Sequence, residues 1–423
     1  MRKMKDSGIE WIGEIPEDWD IGRIGELYTE RKTKVSDLDF QPLSVTMKGI
    51  VPQLANAAKS DAHDDRKLVK KGDFAINSRS DRRGSCGISA YDGSVSLINT
   101  ILTPRKNMNP NFYNWLFHTS LFADEFYKWG HGIVDDLWTT NWSDMKNISI
   151  PLPLISEQQQ IADFLDEKVS QIDSTISKTR KSIEEYKKLK QSIITEVVTG
   201  KVKIENGKVC GKYDIYKDSG IEWIGEIPEE WECFYLSQIF TPVKNKNIGL
   251  IENNLLSLSY GKIIRKNIET TFGLLPENFE GYNIIQENDI VLRLTDLQND
   301  HKSLRVGIAK EKGIITSAYL TLRNQTNKIA KYFYYLLHSF DIAKGFYGMG
   351  AGVRQGLNWN EVRSLRMIAP KDISEQQQIA DYLDQKCSEI DKLITKKEQL
   401  VVELEAYKKS LIYEVVTGKK EMC

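Results

Sequence analysis

The chain has 423 residues, which is enough for two or three domains of ordinary size. Hydrophobic residues make up 40% of it and charged residues 28%, as in globular proteins, and no apolar run approaches the roughly 18 residues that a membrane span requires. The formal net charge of −1 excludes a uniformly basic nucleic-acid binder, so any nucleic-acid site has to be local.

The N-terminal segment and the cysteines indicate a reducing compartment. Residues 1–7 are followed by no apolar core segment, so the sequence predicts no signal peptide. The cysteines are odd in number and scattered without a Cys-x-x-Cys pair, which is typical of reduced thiols rather than of disulfides or zinc ligands. We therefore expect a cytoplasmic protein. The cysteines are Cys86, Cys210, Cys233, Cys387 and Cys423.

A first repeat lies close to the start of the chain. Residues 5–17 read Lys-Asp-Ser-Gly-Ile-Glu-Trp-Ile-Gly-Glu-Ile-Pro-Glu, and residues 217–229 are identical to them. Trp19 and Trp231 then follow at the same distance. An identity of this length, together with a second repeat described below, divides the chain into two tandem halves.

Each half continues with a variable globular block, residues 20–150 in the first half and residues 232–368 in the second. Within each block, an apolar stretch leads through a charged loop to a second apolar stretch, at residues 71–89 and 287–309. Both patterns predict a strand, a connecting loop and a returning strand.

An aromatic helix follows in each block. It begins near Pro110 in the first half and near Lys331 in the second, and Pro110 suits the first position of a helix. The rings recur at helical spacing, which indicates core side chains rather than stacking platforms. Each helix leads into a glycine-rich loop, at residues 126–132 and 346–355, and a short strand then precedes the next element.

A second repeat marks a long helix in each half. Residues 156–163 and 374–381 both read Ser-Glu-Gln-Gln-Gln-Ile-Ala-Asp, and residues 196–201 and 414–419 both read Glu-Val-Val-Thr-Gly-Lys. Between these ends the apolar residues recur at steps of three, four or seven, which predicts coiled-coil helices on the order of 65 Å long.

The ends of these helices carry start and stop signals. Gln159 and Gln377 occupy the capping-box position, and Gly200 and Gly418 are suited to ending each helix. One helix alone could not bury its apolar stripe, so the sequence predicts that the two pair with each other.

The sequence contains no evident catalytic motif. A GxxxxGK[ST] phosphate loop and an Asn-Pro-Pro-aromatic or Asp-Pro-Pro-Tyr stretch are both absent, and the alternating glycines at 348, 350 and 352 do not open a strand-to-helix turn. The histidines lack metal-ligand spacing, and we expect hydrogen-bonded core histidines at His118 and His338. The chain is therefore predicted to bind a ligand without transforming it.

Local charge is consistent with a nucleic-acid ligand. Residues 66–83 hold seven basic and two acidic side chains, a local charge of +5. Charge alone favours a solvated loop, but arginines between two strands also suit phosphates and guanine edges. Two related blocks on a rod of the predicted length could read half-sites nearly two turns of B-DNA apart, at about 34 Å per turn.

The chain resembles the specificity subunits of type I restriction-modification enzymes. The resemblance covers essentially the whole sequence and rests on the repeated Gly-Ile-Glu-Trp-Ile-Gly-Glu-Ile-Pro segment, the Ser-Glu-Gln-Gln-Gln-Ile-Ala helix starts and the Glu-Val-Val-Thr-Gly-Lys helix ends. It implies an α+β fold with a pseudo-two-fold repeat, in which two tandem globular α/β target-recognition domains are joined by two long helices forming an antiparallel coiled coil.

The resemblance also implies a division of labour. Each target-recognition domain would bind one half of a split, asymmetric DNA site, and the helices would set the gap between the halves. Two modification subunits would supply S-adenosylmethionine and adenine methylation, and restriction subunits would add ATP- and Mg-dependent translocation and cleavage. This chain would bind no cofactor and have no active site of its own.

The resemblance places DNA contacts on the charged loop after the first strand and on the glycine-rich loop after the aromatic helix. The two halves depart from each other here, because Gly72-Asp73 becomes Asn288-Asp289 and Asp135-Asp136 corresponds to Gln355-Gly356. The predicted contact residues are Asn77, Arg79, Arg82, Arg83 and His131 in the first block, and Arg293, Lys302, Arg305, Arg354, Gln355 and Asn358 in the second.

The predicted segments are residues 1–153 for the first recognition domain, 154–201 for the first helix, 202–370 for a linker and the second domain, and 371–423 for the second helix. Two other readings stay open. In one, the chain is a two-headed coiled-coil adaptor that recognises protein or glycan. In the other it is an endonuclease in its own right, which would require a carboxylate metal cluster that the sequence does not show.

Overall fold

The computed structural model describes residues 2–53, 63–132, 138–268, 278–297, 304–349 and 356–422. The chain divides into two compact units, Met1–Arg180 with Glu398–Cys423, and Lys181–Lys397. The predicted segments gave each long helix to itself, whereas each compact unit contains one globular block and a part of both helices. The difference arises because each part of the helices packs against the block of its own unit.

The first unit is built from short strands and helices that precede a long helix. Its helices are α1 (Ile24–Leu27), α2 (Pro110–Phe117), α3 (Ser120–Lys128) and α4 (Trp142–Met145), followed by α5 (Ile155–Val198), which continues into the second unit. Its strands are β1 (Met4–Asp6), β2 (Glu14–Pro16), β3 (Asp20–Arg23), β4 (Tyr28–Glu30), β5 (Lys34–Val35), β6 (Leu43–Thr46), β7 (Gly49–Pro52), β8 (Arg66–Val69), β9 (Phe74–Asn77), β10 (Cys86–Ile88), β11 (Gly93–Ser96), β12 (Asn99–Pro104) and β13 (Ser149–Leu152).

An antiparallel sheet in the order β10-β9-β12-β4 carries the core of the first unit. Strands β9 and β10 are the predicted strand and returning strand, paired through Cys86 and Ile76. The aromatic helix α2 begins at Pro110 as predicted, and its rings pack on this sheet, with 5.2 Å between the ring centroids of Phe74 and Phe117. The rings of α2 are therefore core side chains.

The second unit repeats this construction. Its short helices are α6 (Leu236–Ile239), α7 (Ala330–Ile342) and α8 (Trp359–Val362), and its final long helix, which continues into the first unit, is α9 (Ile373–Val416). Its strands are β14 (Lys203–Glu205), β15 (Lys208–Gly211), β16 (Tyr216–Asp218), β17 (Glu226–Pro228), β18 (Trp231–Tyr235), β19 (Phe240–Pro242), β20 (Leu256–Ser259), β21 (Lys262–Arg265), β22 (Asn283–Ile285), β23 (Ile290–Leu292), β24 (Val306–Ile308), β25 (Gly313–Ile315), β26 (Leu320–Asn324) and β27 (Arg366–Pro370).

The central sheet of the second unit has the order β24-β23-β26-β19, which matches the order β10-β9-β12-β4 of the first. The register matches as well, since Phe74 pairs with Leu102 and Ile290 pairs with Leu322. The two blocks therefore share one fold although their sequences have little in common.

The two long helices are each 44 residues, in agreement with the heptad pattern. In the first unit, Asp173 binds Lys408 at 2.7 Å and Arg180 binds Glu405 at 2.5 Å, so the numbering falls on one helix as it rises on the other and the two parts run antiparallel. In the second unit, Lys190 binds Asp391 at 2.7 Å. Within the described ranges, no helix is both long and apolar enough to cross a membrane.

The repeated Trp and Glu join the blocks to the helices. The indole Nε1 of Trp19 donates to Glu157 Oε2 at 2.9 Å, and Nε1 of Trp231 donates to Glu375 Oε1 at 3.1 Å. Both indole rings are buried, so a missing acceptor would leave a buried donor unsatisfied. This requirement accounts for the same Glu at the second position of both helix-start motifs.

The next residue of the motif forms a second joint. Gln158 is 3% exposed and its Oε1 accepts the backbone N–H of Asn109 at 2.8 Å, directly before helix α2. Gln376 is fully buried and accepts the N–H of Ile329 at 3.1 Å, directly before α7. Each long helix thus fixes the start of the aromatic helix in its own unit.

The following glutamine differs from its predicted role. Gln159 and Gln377 were assigned to a capping box, but their side-chain amides donate to Asp163 and Asp381 one turn further on, at 2.7 and 2.8 Å. Both helices begin one residue earlier than the predicted serine, so these glutamines are the fifth residue of each helix and lie beyond its first turn.

A buried carboxylate stands at the start of the central strand in each unit. In the first unit, Asp73 accepts from Arg31 Nε at 2.7 Å and from Thr103 Oγ1 at 3.0 Å. One of its oxygens also accepts the backbone N–H of Lys70 at 2.9 Å, which closes the turn before β9. These contacts make the carboxylate a joint between the turn and two neighbouring strands.

The second unit has the same buried carboxylate, but the arginine that pairs with it comes from a different position. Asp289 accepts from Arg323 Nη2 at 2.6 Å, and by strand register Arg323 stands where the first unit has Thr103. Val243 stands where the first unit has Arg31, since both donate a backbone N–H to the same position of the neighbouring strand, at 2.8 Å. The preceding Asn288 has a φ of 68°, a left-handed conformation that asparagine tolerates, and this explains the departure from Gly72.

This exchange predicts a rescue experiment. We expect Arg31→Val to destabilise the first unit by about 2 kcal/mol. Asp73 is 3% exposed and loses the cation that pairs with it, whereas loss of the partly exposed arginine side chain itself costs little. Adding Thr103→Arg should restore most of that stability, as the arrangement of the second unit does. Urea denaturation of the single and double variants measures the free energy of unfolding. Equal stability of the two variants would contradict the equivalence of Thr103 and Arg323.

Four cysteines lie in the described residues, and Cys423 lies outside them. Cys86, Cys210, Cys233 and Cys387 are free thiols. Burial raises the pKa of the Cys86 thiol to about 12 and that of Cys387 to about 11, so both are neutral packing residues near neutral pH.

Candidate functional site

The predicted recognition loop of the first unit leaves the end of β9 at Asn77. The side chain of Asn77 is 7% exposed, and its Oδ1 accepts the backbone N–H of Arg79 at 3.1 Å. Its own backbone N–H donates to the Ser85 carbonyl at 2.8 Å, which closes the loop at its base. Asn77 therefore shapes the loop, while the residues between 79 and 84 form its outer part.

A tyrosine of helix α3 packs against the loop and hydrogen bonds to its backbone. Tyr127 donates its hydroxyl to the Asn77 carbonyl at 3.2 Å, and the guanidinium of Arg83 lies 5.6 Å from the centre of its ring. Burial raises the pKa of Tyr127, so the hydroxyl stays a donor at physiological pH. The segment after this helix is thereby tied to the loop after β9.

Backbone hydrogen bonds complete this connection. Ser80 donates its N–H to the Trp138 carbonyl at 2.9 Å, and Thr140 donates to the Ser78 carbonyl at 3.0 Å. His131 and Thr139 exchange two hydrogen bonds at 3.1 and 3.0 Å. The two loops that the sequence predicted as separate contact segments thus form one joined surface, which we call the first loop pair (residues 77–85 with 130–132 and 138–140).

The basic side chains of the first loop pair all have carboxylates nearby. Asp81 lies 3.4 Å from Arg79 and 3.7 Å from Arg82, whose side chain is 67% exposed. Arg83 pairs with Asp124, and His131 Nε2 lies 3.7 Å from Asp144. Pairs this exposed contribute little to stability, so a phosphate could replace the carboxylates at small cost.

In the second unit, one buried arginine organises the corresponding surface. Arg305 is fully buried and donates from Nη1 to the carbonyls of Arg293 at 3.1 Å and Thr295 at 2.8 Å. Its Nη2 donates to the Asp296 carbonyl at 3.3 Å, and its Nε donates to the Tyr347 hydroxyl at 3.2 Å. A guanidinium matches several carbonyls at once because its donors are fixed in one plane.

The glycine-rich segment of this unit is joined to the same loop. Leu357 donates its backbone N–H to the Leu294 carbonyl at 2.8 Å, and Asn358 is exposed and caps α8 by accepting from the Asn360 N–H at 2.9 Å. Residues 293–297 and 304–305 with 345–349 and 356–358 form the second loop pair. Both units therefore bring together the two loops that the sequence singled out.

A family model matches part of the chain. Residues 16–185 match the type I restriction modification DNA specificity domain. The type I restriction enzyme MjaVIII specificity subunit of Methanocaldococcus jannaschii is 26% identical, over 96% of this chain and 93% of the relative. A chain of the same organism assigned as the MjaX specificity subunit is 27% identical, over 96% of this chain and 95% of the relative.

The chain is similar to the specificity subunits of type I restriction enzymes. The predicted resemblance is confirmed, and the relatives' names agree with the prediction of a specificity subunit that is not itself an enzyme. The first loop pair lies within the matched specificity domain.

Solved structures show the same fold. A chain from a structural study of the assembly and conformational transition of a type I R-M system matches with a TM-score of 0.69 at 12% identity, over 96% of this chain and 99% of that one. The HsdS subunit of Thermoanaerobacter tengcongensis matches with a TM-score of 0.54 at 14% identity, over 96% of this chain and 98% of that subunit. At such identities the likeness concerns the fold alone.

The predicted contact residues differ in how far they are exposed. Arg79, Arg82, Arg83 and His131 keep 38%, 67%, 54% and 74% of their side chains exposed, and they stay predicted DNA contacts. Asn77 and Arg305 are buried and shape the loops, while Arg293 is half-buried and Asn358 exposed. Lys302, Arg354, Gln355 and the Asp135-Asp136 pair lie outside the described residues.

The local charge of +5 does not form one patch. Arg66 donates from Nε to Ser94 Oγ at 2.9 Å, and Lys67 donates to the Asn99 carbonyl at 2.8 Å. Burial lowers the pKa of Lys67. Both side chains lie on β8 and hydrogen bond to neighbouring strands. The positive charge at the recognition loop therefore comes from the arginines of that loop.

Sequence reasoning missed the tyrosines beneath both loop pairs. Tyr127 and Tyr347 each follow a phenylalanine at the end of the aromatic region, and each binds the first loop of its own unit. The repeated Phe-Tyr pair was the signal that could have identified them, because a tyrosine beside a buried phenylalanine commonly uses its hydroxyl to fix a backbone.

Proposed function

We propose that this chain is the DNA-reading subunit of a type I restriction-modification complex and that each unit binds one half of a split, asymmetric target. The observation that carries the proposal is the joining of two loops in each unit, with exposed arginines on the first loop pair. Arginines suit phosphate oxygens and guanine edges. The two loop pairs differ in construction, so the two half-sites should differ in sequence.

The relationship to specificity subunits supports partners for this role. Modification subunits, two in number, would bind S-adenosylmethionine and methylate adenine at the target. Restriction subunits would use ATP and Mg to translocate and cleave DNA. This chain would bind none of these cofactors itself, and its contribution is to choose the site on which the partners act.

The decisive experiment is purification of the complex from the native host through a tag on this chain. Mass spectrometry should identify a methyltransferase subunit, and deletion of the gene should abolish adenine methylation at one split motif. Recovery of no methyltransferase subunit, with an unchanged methylation pattern, would require withdrawal of the DNA role.

The adaptor reading makes the opposite prediction about salt. Phosphate contacts release counterions, so the affinity of the purified complex for its target duplex should fall steeply as salt rises. An adaptor for protein or glycan would show no such binding. Cleavage of DNA by the pure chain with magnesium alone would instead support the endonuclease reading.

Arg82 provides a test of the first loop pair. If this arginine reads a base, Arg82→Ala should weaken binding by about 1 to 3 kcal/mol and relax specificity at one position. A phosphate contact would instead give a smaller loss that is equal across sequences. Arg23→Ala is the matched control, since Arg23 is exposed in the same unit on β3. Binding unchanged by Arg82→Ala would remove the assignment.

The long helices provide a test of the gap between half-sites. We expect that one heptad inserted in each helix, between Arg180 and Lys181 and between Lys397 and Glu398, widens the preferred gap by roughly three base pairs, since seven residues add about 10 Å. Methylation mapping of the variant measures the gap. Replacing seven residues without changing the length is the control, and an unchanged gap after insertion would show that the helices do not set it.

A further inference from the structure

The hairpin formed by β20 and β21 has an unusual turn in the second unit. Its two turn residues, Tyr260 and Gly261, have φ angles of 45° and 76°. A two-residue hairpin turn with both angles positive favours asparagine, aspartate and glycine, because a side chain in the left-handed region meets its own backbone. Tyrosine is therefore an unfavourable residue at the first turn position.

Burial does not compensate for this strain. Tyr260 is 74% exposed, so its ring gains little from packing. The hairpin of β6 and β7 in the first unit avoids this strain, since its turn residues Met47 and Lys48 have no positive φ and the left-handed residue, with a φ of 94°, is Gly49 at the start of β7. A strained residue with an exposed ring points to a role outside the fold.

The turn lies beside the second loop pair. A Cβ on Gly261 would stand 3.1 Å from Leu304 Cβ and 3.4 Å from the Val306 carbonyl oxygen, which flank Arg305 in sequence. Arg305 in turn holds the loop after β23. The ring of Tyr260 is thus carried on the turn that packs against the returning end of the predicted recognition loop.

The hairpin is also basic. Residues 254–268 contain no acidic side chain, and Lys262, Arg265 and Lys266 are exposed along the strand that leaves the turn. Lys262 lies 3.5 Å from Asp391 on α9, and Arg265 pairs with Glu311. The corresponding segment of the first unit, residues 42–53, has Lys48 as its one basic residue.

We propose that this hairpin is a third DNA-contacting element of the second unit, in addition to its two loops. The ring of Tyr260 would pack on the deoxyribose-phosphate backbone beside the half-site, and Lys262 would bind a phosphate. Such contacts raise affinity without reading bases. The inference rests on the proposed DNA-reading function and extends it to an element that the loop assignment does not include.

The test uses the strain itself. Asparagine is favoured at the turn, so Tyr260→Asn should fold at least as well as wild type and raise the melting temperature of the complex. Its affinity for the target duplex found by methylation mapping should nevertheless fall about tenfold, as expected when one aromatic ring is no longer buried on binding, with the methylated motif unchanged. Lys262→Ala should reduce the slope of log affinity against log salt by about one.

Two controls separate the ring from general effects. Tyr260→Phe keeps the ring and should retain affinity. Tyr235→Ala removes a tyrosine that is 52% exposed on β18, in a different sheet of the same unit, and should leave binding unchanged.

The outcomes distinguish this inference from the function on which it rests. If wild type binds its target and Tyr260→Asn binds equally well, the hairpin has no contact and the DNA-reading role stands. If the variant keeps its affinity for DNA but no longer retains the methyltransferase subunit, the hairpin turn at Tyr260 is a protein contact and the inference is wrong. If the wild-type complex binds no duplex at low salt, both proposals fall together.

Discussion

Replacing Arg305 by alanine is expected to destabilise the second unit by about 4 kcal/mol and to abolish recognition of its half-site. The guanidinium is fully buried, and its removal would leave the carbonyls of residues 293, 295 and 296 without their donor. Hydrogen bonds donated by a charged group contribute more than neutral ones, and three of them would be lost together. The loop would also lose the contact with the Tyr347 hydroxyl that ties it to the neighbouring segment.

The measurement has a structural and a functional arm. Hydrogen exchange should rise in the second unit and stay unchanged in the first, and methylation mapping should show loss of the split motif. Arg363→Ala is the matched control, since Arg363 is an exposed arginine of the same unit at the end of α8. Normal methylation by the Arg305→Ala complex would show that the loop does not depend on this side chain.

Replacing Gly418 by alanine is expected to destabilise the first unit by about 3 kcal/mol. Gly418 ends α9 with a φ of 70°, and an added Cβ would lie 2.4 Å from both Cγ and Cδ of Pro16. Left-handed backbone costs a residue with a Cβ about 1 to 2 kcal/mol, and an overpacked contact adds about 1 to 3. A proline ring has no flexible end that could move aside.

The second unit repeats this contact and supplies the controls. Gly200 has a φ of 71°, and its added Cβ would lie 2.4 Å from Pro228 Cδ, so Gly200→Ala should behave alike. Gly8 and Gly207 have similar φ angles, but a Cβ added at either would meet no atom within 4 Å. Their alanine variants should therefore lose only the free energy of placing alanine in a left-handed backbone. Chemical denaturation separates these cases, and equal losses for Gly418→Ala and Gly8→Ala would contradict the close approach.

The long helices and the two-half organisation could be predicted because their signals are local. A heptad stripe and thirteen identical residues need no knowledge of tertiary structure. The strands β9 and β10 and their counterparts were predictable for the same reason. The compact units were not, since the stripe continues unchanged past Arg180 and only tertiary packing shows where one block ends and the next begins.

The loops show where sequence reasoning ends. Their location followed from charge and from the flanking strands, but the direction of each side chain depends on distant partners. Asn77 turns inward because Tyr127 and Ser85 hold its backbone, and Arg305 turns inward because several carbonyls converge on it. Arg82 and Arg305 both lie in the loop between the paired strands of their unit, yet one is exposed and the other buried.

The exchange of arginines around Asp73 and Asp289 constrains how the two blocks diverged. A block that lost Arg31 before gaining an arginine at the position of Thr103 would pass through a state with an uncompensated buried charge. An ancestor carrying both arginines avoids that state, because Arg31 follows the edge strand β4, keeps 21% of its side chain exposed and can reach water when a second arginine pairs with the aspartate. Relatives should therefore include blocks with arginine at both positions, whereas blocks with neither should have lost the aspartate as well.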